Sequence, residues 1–305
     1  MLKNIIKGLA LSLVFSPFVM ANSVCNQDRV TLQVLGSGGP ELDDGRASSS
    51  YLIWLDGKAR ALVDLGSGAN VNFGQANARL EDISAIMLTH LHVDHSADLP
   101  AFVKGAFFSD REDDLTILGP EGNALMPSTT QFVSRLFGNK GAYAYLSNYL
   151  EPEQRSAFKL KTKDIALGLK AVSHFPVGKD LILSTIPVHH GPIAAVAWRV
   201  DIAGCAITFS GDMNNQYQTL ETLALNSDIL VMHNAVPETA SGVATHLHMT
   251  PSQIGRIAQK AKVKKLVISH RMNRTLGKEK VTTQQTEQSY KGPIFFANDL
   301  DKFRP

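Results

Sequence analysis

The sequence predicts an α/β fold, and two observations carry that reading. Short apolar runs of strand length alternate with segments of helical spacing along almost the whole chain. The residues just past the end of those runs are repeatedly histidine, aspartate or glycine, the arrangement in which α/β proteins gather a site along one sheet edge. With 305 residues and 44% hydrophobic side chains, the chain can bury a substantial core.

The first residues stand apart. Lys3 and Lys7 precede an apolar stretch from Gly8 to Ala21 that ends Val19-Met20-Ala21 before Asn22, a secretory signal pattern. Residues 1–21 are therefore expected to be a signal peptide, with 22–305 a single domain in the periplasm or outside the cell. The stretch is short for a membrane span, and Ser12, Ser16 and Pro17 weaken it, so no span is expected after cleavage. A retained anchor is the alternative. A lipoprotein cut before Cys25 fits less well, because Val24 is not small.

Of 30 basic and 28 acidic side chains, Lys3 and Lys7 fall in residues 1–21 and no acid does, so the remainder carries 28 of each. A chain of zero net charge has no overall bias towards nucleic acid. The lysine runs Lys159, Lys161, Lys163 and Lys262, Lys264, Lys265 read as solvated faces. The only cysteines, Cys25 and Cys205, either pair in an oxidising compartment or remain two buried thiols.

The elements follow in order. A strand from Val30 to Leu35 leads into the turn Gly36-Ser37-Gly38-Gly39-Pro40. Strands Ser50 to Leu55 and Ala61 to Val63 are joined through Asp56-Gly57, a hairpin signal. Gly66-Ser67-Gly68, close after Asp64, lacks the lysine of a phosphate loop and reads as a turn near the site. The run Ile83 to Leu88 is a buried strand, followed by a helix from Asp98 to Phe108 and a strand from Leu115 to Leu118. Met126 to Phe158 has helical spacing, its aromatics Phe132, Phe137, Tyr143, Tyr145 and Tyr149 serving mostly as packing. Strand Leu181 to Val188 runs into His189-His190-Gly191. Strands Ala195 to Val200 and Ala206 to Phe209 flank the turn Ala203-Gly204, and the second ends at Ser210-Gly211-Asp212. Strand Asp228 to Met232 ends at His233-Asn234. A helix from Pro251 to Ala261 precedes strand Lys265 to Ser269, which ends at His270.

The densest chemistry lies at Thr89-His90-Leu91-His92-Val93-Asp94-His95, on the loop expected after the Ile83–Leu88 strand. Desolvating three imidazoles and a carboxylate with no partner is unfavourable, which points to metal. His90 and His92 can face one point while Asp94 and His95 turn to a second. Such ligands suit zinc first, with iron or manganese as alternatives.

Taken together, Thr89–His95, His190-Gly191, Ser210-Gly211-Asp212 and Ser269-His270 resemble, in order, the metal motifs of the metallo-β-lactamase fold, and within it the ribonuclease Z-like branch. The resemblance runs from Leu35-Gly36-Ser37-Gly38 to the end of the chain. It implies a four-layer αββα sandwich and two divalent metal ions. One would be held by His90, His92 and His190, the other by Asp94, His95 and His270, with Asp212 bridging. Of the adjacent pair, His190 matches because the family's ligand directly precedes glycine; His174 has no match. A metal pair ~3.5–4 Å apart lowers the pKa of a shared water towards ~7. Asp94 would also orient that hydroxide. His248 resembles the histidine that protonates the leaving group, with neighbouring His246 as the alternative.

Three departures limit the likeness. Transfer-RNA-processing members carry a long arm between two strands of the second half, yet Val200 and Ala206 are separated by only Asp-Ile-Ala-Gly-Cys. Asn234 replaces an acidic residue of the proton relay, and Met213 replaces a threonine. The expectation is an exported hydrolase cleaving a small-molecule ester, foremost a phosphodiester, with no strong nucleic-acid signal and homodimerisation left open. A lactonase or β-lactamase-like hydrolase is one alternative, and a non-catalytic metal-binding protein is the other.

Overall fold

The structure, a computed structural model, describes residues 24–305, so the signal-peptide reading of 1–21 lies outside the described residues. In chain order the strands are β1 (Val30–Gly36), β2 (Ser50–Leu55), β3 (Lys58–Val63), β4 (Ala85–Met87), β5 (Leu115–Pro120), β6 (Leu160–Ile165), β7 (Ser173–Val177), β8 (Leu181–His190), β9 (Ile193–Ile202), β10 (Cys205–Phe209), β11 (Ile229–His233), β12 (Lys265–Ser269), β13 (Ile294–Phe296) and β14 (Lys302–Phe303). They form two seven-stranded sheets, ordered β14-β1-β2-β3-β4-β5-β6 and β13-β12-β11-β10-β9-β8-β7. The helices are α1 (Ala69–Gln75), α2 (Val93–Ser96), α3 (Leu99–Ala106), α4 (Thr129–Phe137), α5 (Leu220–Leu223), α6 (Val243–Leu247), α7 (Pro251–Lys260) and α8 (Glu279–Thr286).

Side-chain alternation explains the layering. On β1, Val30, Leu32 and Val34 face the second sheet, where they meet a core containing Val196, Trp198, Phe209 and Val231. The opposite face of the first sheet, including Leu52, Leu62 and Ile86, is covered by α1, α3 and α4 through Phe73, Phe102 and Phe137. On β11, Ile229 and Val231 point inward while Leu230 and Met232 point outward against α5 and α7. The result is the expected αββα sandwich. Among the described residues no helix is long and apolar enough to cross a membrane.

Both sheets are mixed. Strands β3 to β6 run parallel, as do β10 to β13, so their carboxyl ends collect on common edges. At that edge the sheets are joined directly. Trp198 Nε1 donates to the Leu88 carbonyl at 3.0 Å, and the Val196 amide donates to the Thr89 carbonyl at 2.9 Å.

Several local readings change. The strand expected over Ile83–Leu88 is only Ala85–Met87. The loop expected to carry Asp94 and His95 is the helical turn α2, capped by extended His92. A helix places adjacent side chains about 100° apart, so it separates Asp94 from His95 more firmly than a loop would. The Met126–Phe158 segment contains α4 and a 3-10 stretch, Ala144–Tyr149; Phe137 and Tyr149 are buried, whereas Tyr145 is exposed. Strands β6 and β7 had no expected counterpart. Both are sheet edges, where Lys161 and Lys163 on one and Pro176 on the other are tolerated because one side of the ladder is unpaired.

Cys25 and Cys205 are bonded to each other, which decides between the two cysteine readings and ties the first described residues to the β9–β10 hairpin. The hairpin turns on Ala203 and Gly204, both at positive φ, and Ile202 pairs with Cys205.

Candidate metal centre

Each candidate ligand stands at or just past a strand end, and the fold brings all of them together. His90 and His92 leave β4, Asp94 and His95 sit on α2, and His190 ends β8. Asp212 follows β10, and His270 follows β12. Gly211 makes the approach of Asp212 feasible: its φ is +58°, and a Cβ there would stand 2.8 Å from Thr89 Cβ. The Gly66 turn proves to lie beside the site, since a Cβ on Gly66 would stand 2.2 Å from the Asp94 carbonyl oxygen.

One group of ligand atoms comprises His90, His92, His190 and Asp212, and a second comprises His95, Asp212, His233 and His270, each within 4.8 Å of one another. His233 is the weaker member of the second group as a ligand, because both its nitrogens are engaged: Nδ1 with Asp212 Oδ1 at 2.8 Å and Nε2 with the Tyr51 hydroxyl at 3.0 Å. Asp94 is better placed to complete that group. Its Oδ2 lies 3.2 Å from His270 Nε2 and 3.5 Å from His95 Nε2.

Hydrogen bonds at the back of each ring decide which nitrogen faces inward. His95 Nδ1 donates to Asp64 Oδ2 at 2.7 Å, and His190 Nδ1 donates to the Leu247 carbonyl at 2.9 Å. The Thr89 hydroxyl gives its one proton to Asp64 at 2.8 Å, so it accepts from His90 Nδ1 at 3.1 Å. The Nε2 atoms of His90, His95 and His190 are thereby left buried with no hydrogen-bond partner among the described residues. Orphaned buried nitrogens of this kind are rare in folded proteins, and these converge around one carboxylate. Asp212 Oδ2 is 3.8 Å from both His95 Nε2 and His190 Nε2. The donor set fits divalent metal ions of the zinc, manganese or iron type.

Burial, with help from His95 and His190, holds His90 well below its ordinary value, and it lowers His190 in the same direction. Neutral imidazole is the ligating form. Burial also acts to lower His95, but Asp94 and Asp64 outweigh it and raise this group to about 10. Despite burial, the surrounding histidines hold Asp212 well below the usual carboxylate range.

His248 lies in the site and His246 does not. His248 is 9% exposed, its Nδ1 is 3.8 Å from Asp212 Oδ2, and its ring centroid is 5.4 Å from that of His190. Burial lowers it to about 4 against the pull of Asp212. His246 is exposed on α6. His189 is half-buried, bonded to Asn214 at 3.1 Å, and His174 is exposed and bonded to Ser184. Asn234 turns its amide to the Val236 carbonyl, and Met213 is packed in the outer core.

Sequence reasoning places Asp64 and His233 at strand ends without assigning either a role in the site, and it does not single out Tyr51. Asp64 carried a signal, since it follows the apolar end of β3 just as the ligands follow their strands. Tyr51 carried none, being an aromatic residue in a strand like many others.

The sequence profile of the metallo-beta-lactamase superfamily matches residues 43–270. The chain is 29% identical over a 308-residue alignment to the ribonuclease Z of Listeria monocytogenes serotype 4a, covering 87% of this chain and 98% of that protein. Its fold is similar to that of human tRNase Z, short form, with a TM-score of 0.69 and 18% identity over 90% of this chain and 98% of the other. It is also similar to a diphosphatase of the PhnP family, with a TM-score of 0.63 and 18% identity over 90% of this chain and 97% of that one.

Proposed function

The chain belongs to the metallo-beta-lactamase superfamily, and on that footing we propose that this metal-dependent hydrolase cleaves a small phosphodiester at a dinuclear centre. The supporting observation is the set of orphaned Nε2 atoms on His90, His95 and His190 around Asp212 Oδ2. His90, His92 and His190 would hold one divalent ion, foremost zinc, and Asp94, His95 and His270 a second, with Asp212 shared between them. When bound, such a pair supplies a hydroxide near neutral pH and neutralises charge on the transferring phosphoryl group.

The protein's own groups do the rest. Asp94, whose Oδ2 is hydrogen-bonded to His270 Nε2 at 3.2 Å, would orient the attacking water. His248 donates a proton to the leaving oxygen. Its proton is weakly held in the free protein, and an anionic substrate beside it raises that affinity.

The two-residue β9–β10 turn supports a small substrate, because the arm with which transfer-RNA-processing members grip RNA would be inserted there. The disulfide supports export, since such bonds persist mainly outside the reducing cytosol. The ribonuclease Z relatives favour a second reading, cleavage of precursor transfer RNA. Zinc-, manganese- or iron-loaded protein should hydrolyse bis(p-nitrophenyl) phosphate and leave precursor transfer RNA intact. Cleavage of the RNA at a comparable rate would reverse the order of the two readings, and inactivity towards both would remove the phosphodiester assignment.

A further inference from the structure

Tyr51 and His233 come from different sheets, on β2 and at the end of β11, and they meet beneath the metal centre. The Tyr51 hydroxyl is 3.0 Å from His233 Nε2, and His233 Nδ1 is 2.8 Å from Asp212 Oδ1. Relative exposures are 0% for Tyr51, 2% for His233 and 3% for Asp212, so water has little access to any link. The direction of each bond follows from the donor inventory. An ionised carboxylate only accepts, so His233 Nδ1 carries a proton; the neutral ring then accepts at Nε2, and Tyr51 donates.

We propose that Tyr51 and His233 are positioning residues that select which oxygen of Asp212 is shared by the two metal sites. The inference rests on the dinuclear reading above. A carboxylate torsion is broad and roughly two-fold, so without a fixed partner its oxygens exchange easily. Here Oδ1 accepts from His233 Nδ1 at 2.8 Å and lies 3.5 Å from His270 Nε2, while Oδ2 is 3.8 Å from each of His95 Nε2, His190 Nε2 and His248 Nδ1. The arrangement is not a requirement of core packing: Tyr51 lies against Phe209 at a centroid distance of 5.4 Å, and a phenylalanine would fill that space without the hydroxyl. A buried hydroxyl and imidazole need partners to avoid a desolvation penalty, and these two meet that need by bonding each other and Asp212.

The test measures zinc binding by competition with a chromogenic chelator, alongside the thermal midpoint of the metal-free protein and the absorption spectrum of the cobalt(II) form. Tyr51→Phe should weaken the less tightly held zinc by about tenfold or more, the range for lost hydrogen-bond partners of metal ligands, and should alter the cobalt spectrum. His233→Ala should lose at least as much. Adding Tyr51→Phe to it should change nothing further, because Tyr51 acts through His233. His233→Asn, which keeps a donor towards Asp212, should recover most of the affinity lost by His233→Ala, and it tests the idea even if Tyr51→Phe folds poorly. Wild-type zinc affinity and cobalt spectrum in Tyr51→Phe, or additive losses in the double variant, would overturn the inference while leaving the metal centre intact. A wild-type chain that binds no zinc would overturn the metal centre itself and this inference with it.

Discussion

Asp64 Oδ2 accepts a hydrogen bond from His95 Nδ1 at 2.7 Å, with both side chains fully buried. The same carboxylate accepts from the Thr89 amide at 2.7 Å and the Thr89 hydroxyl at 2.8 Å, so one aspartate positions the start of the His90–His95 segment and the ring at its end. Asp64→Asn keeps an acceptor for the Thr89 amide but places an amide N–H opposite His95 Nδ1. The ring must then carry its proton on Nε2, where it cannot ligate. Zinc affinity is expected to fall by about ten- to hundredfold, measured by chelator competition, with little change in far-ultraviolet circular dichroism. Unchanged affinity would show that the bond merely fills space.

Among the described residues, the Nε2 atoms of His90, His95 and His190 have no hydrogen-bond partner, although burial demands one. Adding zinc should therefore raise the thermal midpoint strongly. Binding to the folded state alone adds about 2.7 kcal/mol at a free concentration of one hundred times Kd. Removing it with a chelator should reverse the gain and abolish hydrolysis together. A midpoint indifferent to zinc, manganese and iron would contradict the assignment of these residues as ligands.

His248 and His246 are two residues apart but occupy different surroundings, one beside Asp212 and the other exposed. His248→Ala should lower kcat by about 10²–10⁴, the usual contribution of a positioned proton donor, and His246→Ala by little. The loss should be larger for an alkoxide leaving group than for p-nitrophenolate, which departs without a proton. Equal losses on both substrates would assign His248 to binding instead of proton transfer.

The candidate ligands were legible because their signals are local. His90, His92, Asp94 and His95 fall within one short segment, and His190, Asp212 and His270 each follow an apolar run that announces its own end. Their supports were not legible. Whether Tyr51 meets His233 depends on which face of the first sheet lies against the second, and no spacing along the chain encodes that. The turn α2 spans four residues, too few for helical periodicity to register. β6 hid for another reason: Lys161 and Lys163 suit an edge strand and read equally well as a solvated loop. The cysteine pairing stayed open because two cysteines 180 residues apart are brought together only by the closed β9–β10 hairpin.

The disulfide and Asp212 lie at opposite ends of β10. Cys205 begins β10 and Asp212 follows its end, a separation of about 20 Å at the usual rise of ~3.3 Å per residue. Cys25 contributes nothing to the metal centre; it anchors the chain start, where the Asn26 amide also donates to the Ala203 carbonyl at 3.2 Å. Cutting the bond frees the unfolded chain and the Val24–Arg29 segment but leaves the parallel β10–β11–β12 ladder intact. Paired Cys25→Ser and Cys205→Ser substitutions should therefore lower unfolding stability by about 2–5 kcal/mol, while kcat at 25 °C stays within about twofold. Denaturant unfolding with fixed zinc, run beside a steady-state assay, separates the two quantities. A loss of activity that exceeds the loss of folded protein would mean that strain at the hairpin reaches Asp212 along β10.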